Sequence, residues 1–452
     1  MPQTSSSSGA PRWQRWRRPY GIVFRKCADE PGSWSPQGRL CSLPTRSREW
    51  DRWRKRPASA TGEGVPPHQS PMDKRRPQMS CELAIDDLRA IARGATLLGA
   101  GGGGSLSHGL TLVELLASWG VEKVTVISCD EMADDGWAAS VAMIGSPRVL
   151  EGLVDLPEAP LAFRLLQSAH AAEGRRVRYP MAGELGGFNT MVPLVVAAME
   201  GIPAIDADGN GRAVPELATG LIPIAGVYEN PLAMAGHNGD SILIRLGDEK
   251  DHHAAENIAR HVCMAYGMRA AFATWAVNRA TIENNLVVGS LSRCLEVGLL
   301  MQKTGDVDEL VDALALAIEA QELFRGTISS LEVKTAGGFD FGTTTITGEG
   351  DFAGRVVHVD SKNENILLRA NEGPALHTVP DLMTFVEVDS LQPLTNADTV
   401  VGQRVVLLGI PAPDNWWRSP EGFNCWSHIL ESMGYTGPCL PLPRQSVPVV
   451  TP

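Results

Sequence analysis

The chain has 452 residues, 43% of them apolar, with no run approaching 18 apolar residues, so two or three domains are expected and a membrane span is not. The net charge of −12 is uneven: residues 1–80 carry 16 Lys+Arg against 6 Asp+Glu, which leaves 24 against 46 beyond them, a net of −22 that argues against a nucleic-acid partner. Eight scattered cysteines without a Cys-x-x-Cys pair fit reduced thiols in a cytoplasmic protein better than a disulfide frame or a zinc site.

Residues 1–80 are rich in Ser, Pro and Arg, and Trp13, Trp16, Trp34, Trp50 and Trp53 follow no period. They read as a disordered basic extension. A transit peptide, a start at Met72 or Met79, or an RNA-binding segment are the alternatives. The organised chain begins at Glu82. Asp86 to Leu98 has the apolar spacing of an amphipathic helix. It runs into five glycines in six residues, Gly99 to Gly104, a turn whose N–H groups can point inward at an anion or a carbonyl oxygen. A helix precedes this run, so it is not a dinucleotide fingerprint, and no Gly-Lys-Ser/Thr follows, so it is not a P-loop. The alternative is a flexible linker. Leu110 to Trp119 reads as a helix, Lys123 to Ser128 and Trp137 to Ile144 as strands, Leu161 to Ala172 as a helix and Val177 to Tyr179 as a strand. This alternation predicts a layered α/β domain.

Residues 183–216 concentrate the chemistry. Thr190 is placed to cap a helix with Pro193 in its first turn and Gly201 at its stop. Ile202 to Ile205 then reads as a short buried strand ending at Asp206 and Asp208, the kind of strand end where α/β sheets bind ligands. If both aspartates continue the strand, they face one side about 7 Å apart and repel by roughly 2.4 kcal/mol. Arg212, or a divalent metal ion, would offset that. The alternative is a capped turn in which Asp208 bonds local N–H groups and Arg212 forms a surface ion pair.

Pro215 to Leu221 is expected to start a helix, and Ser241 to Leu246 a strand. His237 lies in a turn. In the helix expected over Asp251 to Met268, His252 and Glu256 share a face at metal-ligand spacing, but the His-Glu-x-x-His order is missing and a solvated face is the expected reading. Ala270 to Val277 reads as a strand, followed by helices over 290–302 and 307–323. After Phe324, six short β-branched runs between Gly, Asp and Asn turns predict a small barrel or sandwich. Phe423 to Met433 reads as helical. The expected division is 1–80 extension, 81–247 N-terminal three-layer α/β domain, 248–436 C-terminal domain of helices then mostly β barrel or sandwich, and 437–452 disordered Pro-rich tail.

The motifs LLGAGGGG (97–104), GELGGFNTMVPL (183–194), DADGNGRAVPEL (206–217), NEN (363–365) and VPDLM (379–383) resemble the S-methyl thiohydantoin desulfurase family, often found beside hydantoinase genes. The resemblance covers about residues 82–436. It implies a two-domain hydrolase that converts an S-substituted thiohydantoin to hydantoin and thiol. It points to Gly101, Gly102, Gly103, Gly104, Glu184, Asn189, Asp206, Asp208, Arg212, Glu216, Glu364 and Asp381. Asp206 or Asp208 would serve as general base and Glu184 or Glu216 as acid, with Arg212 and the glycine amides holding developing charge. Gly101 to Gly104, Asn189, Glu364 and Asp381 would bind substrate. Val214 and Ser361–Lys362 depart from the family's usual Phe and Phe-Gln, which leaves the exact substrate open. A homo-oligomer acting on a small cyclic amide is expected. The competing reading is an accessory partner of an ATP-dependent hydantoinase or oxoprolinase subunit. A relative acting on a sulfur-free cyclic amide is a third.

Overall fold

A computed structural model of the chain describes residues 81–145 and 153–443. The expectations for 1–80, and for the tail from 444 onward, lie outside the described residues. No helix among the described residues is long and apolar enough to cross a membrane.

The first half is α/β. A five-stranded sheet runs in the order Arg176–Met181, Gly136–Gly145, Arg269–Asn278, Leu232–Gly236, Ser241–Ile244. The first pair is parallel and the others antiparallel. The sheet is covered on both faces because its strands alternate two apolar sets. Leu232 and Met234 cluster with Ala259 and Cys263 of the His252–Ala265 helix. Ala233 and Ala235 join the main core with Phe163 and Leu166 of the Glu158–Ala171 helix. Arg269–Asn278, from the later half of the sequence, occupies the centre of this sheet, so the two halves interleave in space. A smaller sheet joins Cys81–Ala84, Lys123–Ile127 and Ala204–Ile205.

The second part is one antiparallel sheet of eight strands. Its order is Ala375–Thr378, Glu364–Ala370, Val356–Lys362, Phe339–Gly348, Gln321–Ala336, Arg404–Ile410, Leu382–Glu387, Pro393–Leu394. The two end strands do not pair with each other, so the sheet is sandwich-like and does not close into a barrel.

Several local expectations change where distant groups take over the backbone's hydrogen bonds. No helix forms over Pro215 to Leu221. Leu217 N–H donates to Glu256 Oε2 at 2.7 Å and Leu221 N–H to Asn210 Oδ1 at 2.8 Å, and a helix of four residues starts only at Leu221–Ile224. Thr190 does not cap its helix; its hydroxyl accepts from Gly186 N–H at 2.9 Å. Gly201 does end that helix, at φ 67°. The helix expected to reach residue 323 stops at Ile318, with Glu319 left-handed at φ 57°. Phe423 to Met433 divides into Glu421–Asn424 and Ser427–Ser432. The start of the tail is ordered. Leu442 is buried, and Leu440 N–H and Leu442 N–H donate to Thr378 Oγ1 and Asp381 Oδ2.

The Ile85–Leu98 and Ser290–Lys303 helices touch backbone to backbone. A Cβ on Gly298 would lie 1.8 Å from Ala90 O, and one on Gly94 1.9 Å from Cys294 O. The first helix also contacts strands Leu382–Glu387 and Pro393–Leu394, so this crossing joins both parts of the molecule. Gly298→Ala is expected to destabilise by about 1–3 kcal/mol despite alanine's better helix propensity, because the helices must separate; a thermal melt at fixed pH measures it.

Candidate functional site

Asp206 and Asp208 do not share one strand face. The chain bends at Asp206. Ala204–Ile205 pairs with Val126 and Ile127, whereas Ala207–Asp208 pairs with Val287–Val288 in a different sheet. The two carboxyls, both fully buried, therefore find different partners. Asp206 reaches across the fold to the start of the Ser290–Lys303 helix. Its Oδ1 accepts from Leu291 N at 2.8 Å and Ser292 N at 3.1 Å, and its Oδ2 from Ser292 Oγ at 2.5 Å. Charge at a helix N-terminus is favourable, so the carboxylate is committed there. Asp208 Oδ2 accepts from Asn210 N at 2.8 Å and Gly211 N at 2.7 Å, which closes its own turn. Its Oδ1 has no hydrogen-bond partner. Burial drives the Asp208 carboxyl up to about 7; the two N–H groups and the nearby Ser290 hydroxyl, which falls short of hydrogen-bond geometry, pull the other way, and the Glu184 charge adds to the rise.

Arg212 is fully buried and is not a surface ion pair. Its guanidinium donates to backbone carbonyls of Ala213 (2.9 Å), Pro380 (2.8 Å), Asp381 (3.1 Å) and Asn365 (3.3 Å). It lies 4.8 Å from the Trp426 ring centre. Burial lowers its pKa to about 10, against the attraction of Glu364 and Asp381, so it is charged at neutral pH.

Two further acids answer to that charge. Glu184 is part-buried and is held by Asn189 Nδ2 and Val214 N–H, both at 2.9 Å. Burial raises it to about 6 in spite of those donors and of Arg212. Glu364 is 2% exposed, and its Oε2 has no partner. Burial and the Glu184 charge push it well above the usual carboxylate range, with Arg212 opposing. The glycine run covers this cluster. A Cβ on Gly102 would lie 2.0 Å from Glu364 Oε1, and one on Gly103 2.6 Å from Gly186 Cα. Gly103 O accepts from Phe188 N at 3.2 Å and Asn189 N at 3.0 Å. Close backbone approach, which a side chain would forbid, is therefore what the run provides. Among the described residues, Gly103 N–H and Gly104 N–H meet no acceptor.

Glu216 and Asp381 stand apart in kind. Although burial pushes Glu216 up, His428 (2.6 Å) and Lys362 outweigh it and hold the carboxyl at about 2. Asp381 accepts from Ala412 N and Leu442 N, both at 2.7 Å, which fixes two loops. Lys362, His428 and Trp426 carry no sequence pattern of their own as functional residues, whereas Asn365 closes the NEN motif. Only the Ser-Lys departure before Asn363 hinted at the first. Among the described residues no group of three or more His, Cys, Asp or Glu is placed to hold a metal ion. Two surface hollows of about 450 and 490 Å³ lie along the large sheet, and none of the acids above lines either; Asp360 and Arg369 line the second.

The sequence comparisons bear on the same segments. The S-Me-THD-like N-terminal domain matches residues 86–245 and the S-Me-THD-like C-terminal domain matches 249–439. The chain belongs to the S-methyl thiohydantoin desulfurase-like family. A crystal structure of a protein from Chromobacterium violaceum is similar at 25% identity and a TM-score of 0.70, over 80% of this chain and 100% of that one. No curated protein matches significantly. Membership of the S-methyl thiohydantoin desulfurase-like family places both halves of the buried cluster inside matched segments, Glu184, Asp208 and Arg212 in the first and Glu364 in the second.

The pKa directions make stability depend on pH with opposite signs. Asp208 is raised from 3.8 to about 7, so its contribution is fully present below about pH 4 and is lost as pH rises to 7, on the order of 4 kcal/mol. Glu216 is depressed from 4.5 to about 2, so its contribution is present above pH 4.5 and lost as pH falls toward 2. Melting temperature measured against pH should therefore peak near pH 4–5 for these two groups, and Asp208→Asn should flatten the alkaline-side decline. An unchanged slope in that variant would show that Asp208 is not the group titrating.

Proposed function

We propose that the protein is a hydrolase that adds water to the carbon of an S-substituted cyclic amidine, such as an S-alkylated thiohydantoin, and releases a thiol and the cyclic amide. What supports this most is that Glu184 and Glu364, both raised by burial, feel each other's charge or that of Arg212, with Gly102 closing over Glu364. One acid, at about 6, is mostly charged at neutral pH; burial and the Glu184 charge bias the other toward its protonated form. Two carboxyls whose surroundings separate their pKa values are the requirement for acid and base in one step.

In this reading Glu184, the part-exposed member, takes a proton from water as oxygen attacks the C=N carbon. Glu364 protonates the ring nitrogen. Collapse of the tetrahedral centre breaks the C–S bond; the hydroxyl proton returns to Glu364, and Glu184 protonates the departing thiolate. Atoms balance as one water consumed and one thiol formed. Gly103 N–H and Gly104 N–H, which meet no backbone acceptor among the described residues, would be the donors for the charge that develops. Asp206 and Asp208 hold the frame, and Glu216, at about 2, has no proton to give at neutral pH. Asn189 orients Glu184. The protein is taken to bind a small cyclic amide rather than to serve as a hydantoinase partner, although association with such a subunit or with further copies of itself is compatible with this chemistry.

The test is free-thiol release from S-methylated thiohydantoins by purified protein. Activity should rise through about pH 6 as Glu184 ionises. Glu184→Gln and Glu364→Gln should each lower kcat by about 10²–10⁴-fold, while Asp208→Asn keeps at least about a tenth of it. If Asp208→Asn is as damaged as Glu184→Gln, the base is Asp208. If the wild type releases no thiol but co-elutes with a hydantoinase subunit, the accessory reading replaces this one.

A further inference from the structure

We propose that Trp275 is a positioning residue for Glu184, and that the buried Glu229–His252 pair holds it in place; this rests on the reading of Glu184 as the base. The Arg269–Asn278 strand is bulged against Gly136–Gly145. Ala138 pairs with Val277 and Ser140 with Thr274, so Trp275 and Ala276 together oppose Ala139. Trp275 has φ 53°, a left-handed bulge position that glycine ordinarily takes and that a bulky side chain rarely adopts. Such an outlier persists only where its surroundings over-determine it.

Here they do. The Trp275 indole is 6% exposed, and its Nε1–H donates to Glu229 Oε1 at 2.9 Å. Glu229 is fully buried. Its second oxygen meets His252 Nδ1 at 2.7 Å, which fixes the donor on that ring nitrogen. Both oxygens of a buried carboxylate are thus used, one of them to aim an indole. The far edge of that indole lies against the residue before Glu184: a Cβ on Gly183 would sit 3.3 Å from Trp275 Cζ3 and 3.5 Å from Ser140 Cβ. A buried indole N–H calls for an acceptor whatever the residue does, but a residue that merely filled core volume would not need a left-handed backbone. The arrangement supports the Gly183–Glu184 peptide from beneath, and the strained bulge sets the height of that support.

The experiment measures kcat and KM for thiol release in three variants. Trp275→Phe keeps one aromatic ring but loses both the donor and the far edge that meets Gly183; Glu229→Ala removes the acceptor; Glu229→Gln retains an oxygen for the indole. The first two should lower kcat about tenfold or more with KM within about twofold, since a small misplacement of a catalytic group costs rate. Glu229→Gln should restore kcat to within about threefold, since the indole keeps its hydrogen bond. Wild-type kcat in Trp275→Phe or in Glu229→Ala overturns the proposal, and Glu229→Ala decides it if the tryptophan variant does not fold. A second arm needs no turnover. In proton–nitrogen correlation spectra, the indole peak that disappears in Trp275→Phe should shift in Glu184→Gln. A wild type that releases no thiol overturns the functional reading by itself; the spectral arm then decides the coupling of Trp275 to Glu184, and an unmoved peak overturns it.

Discussion

The buried guanidinium of Arg212 is the constraint on which the rest depends. Its four donated bonds run to carbonyls of Ala213, Asn365, Pro380 and Asp381, and among the described residues it makes no ion pair with a carboxylate. A charge removed from water in this way must be satisfied by dipoles or by nearby acids. The carbonyls supply the first, and they come from a loop of the α/β part and from the Glu364–Ala370 strand and the 380–381 turn of the large sheet. Glu184 and Glu364 supply the second at longer range. One side chain therefore stitches the two parts together and sets the electrostatic potential of the place where they meet.

The acids around it divide according to what their oxygens touch. Asp206 and Asp381 use both oxygens on main-chain or hydroxyl donors and act as cross-links between segments. Glu216 is paired with a lysine and a histidine. Asp208 and Glu364 each keep an oxygen without a partner. That is an uncommon state for a buried carboxyl and is tolerated where a proton or a ligand completes it. Chemical residue type was the same in all of these positions; donor supply made them different.

The glycines serve the same end from the backbone side. Gly102 lets Glu364 lie against the loop and Gly103 lets that loop touch Gly186, with no Cβ between them. At Trp275 the logic is reversed, since a bulky residue occupies a conformation suited to glycine and is held there by a buried carboxylate.

Periodicity and turn chemistry were enough to read the alternation of helices and strands up to residue 205, the helix stop at Gly201 and the six main β runs after Phe324, because each depends on neighbours within a few residues. The motifs also marked Glu184, Asp208, Arg212 and Glu364 before their meeting place was known. Local signals misjudged Asp206, whose partner lies 85 residues away, the stretch after Pro215, whose amides bond distant side chains, and the tail at 437–443, which docks on Asp381 and Thr378. His428 and Trp275 had no local signature, and the central position of Arg269–Asn278 in the first sheet could not be read from its own residues. Which carboxyl keeps its proton was likewise invisible in one dimension, since that depends on burial and on the count of donors at each oxygen, and both arise only when segments more than a hundred residues apart close around one guanidinium.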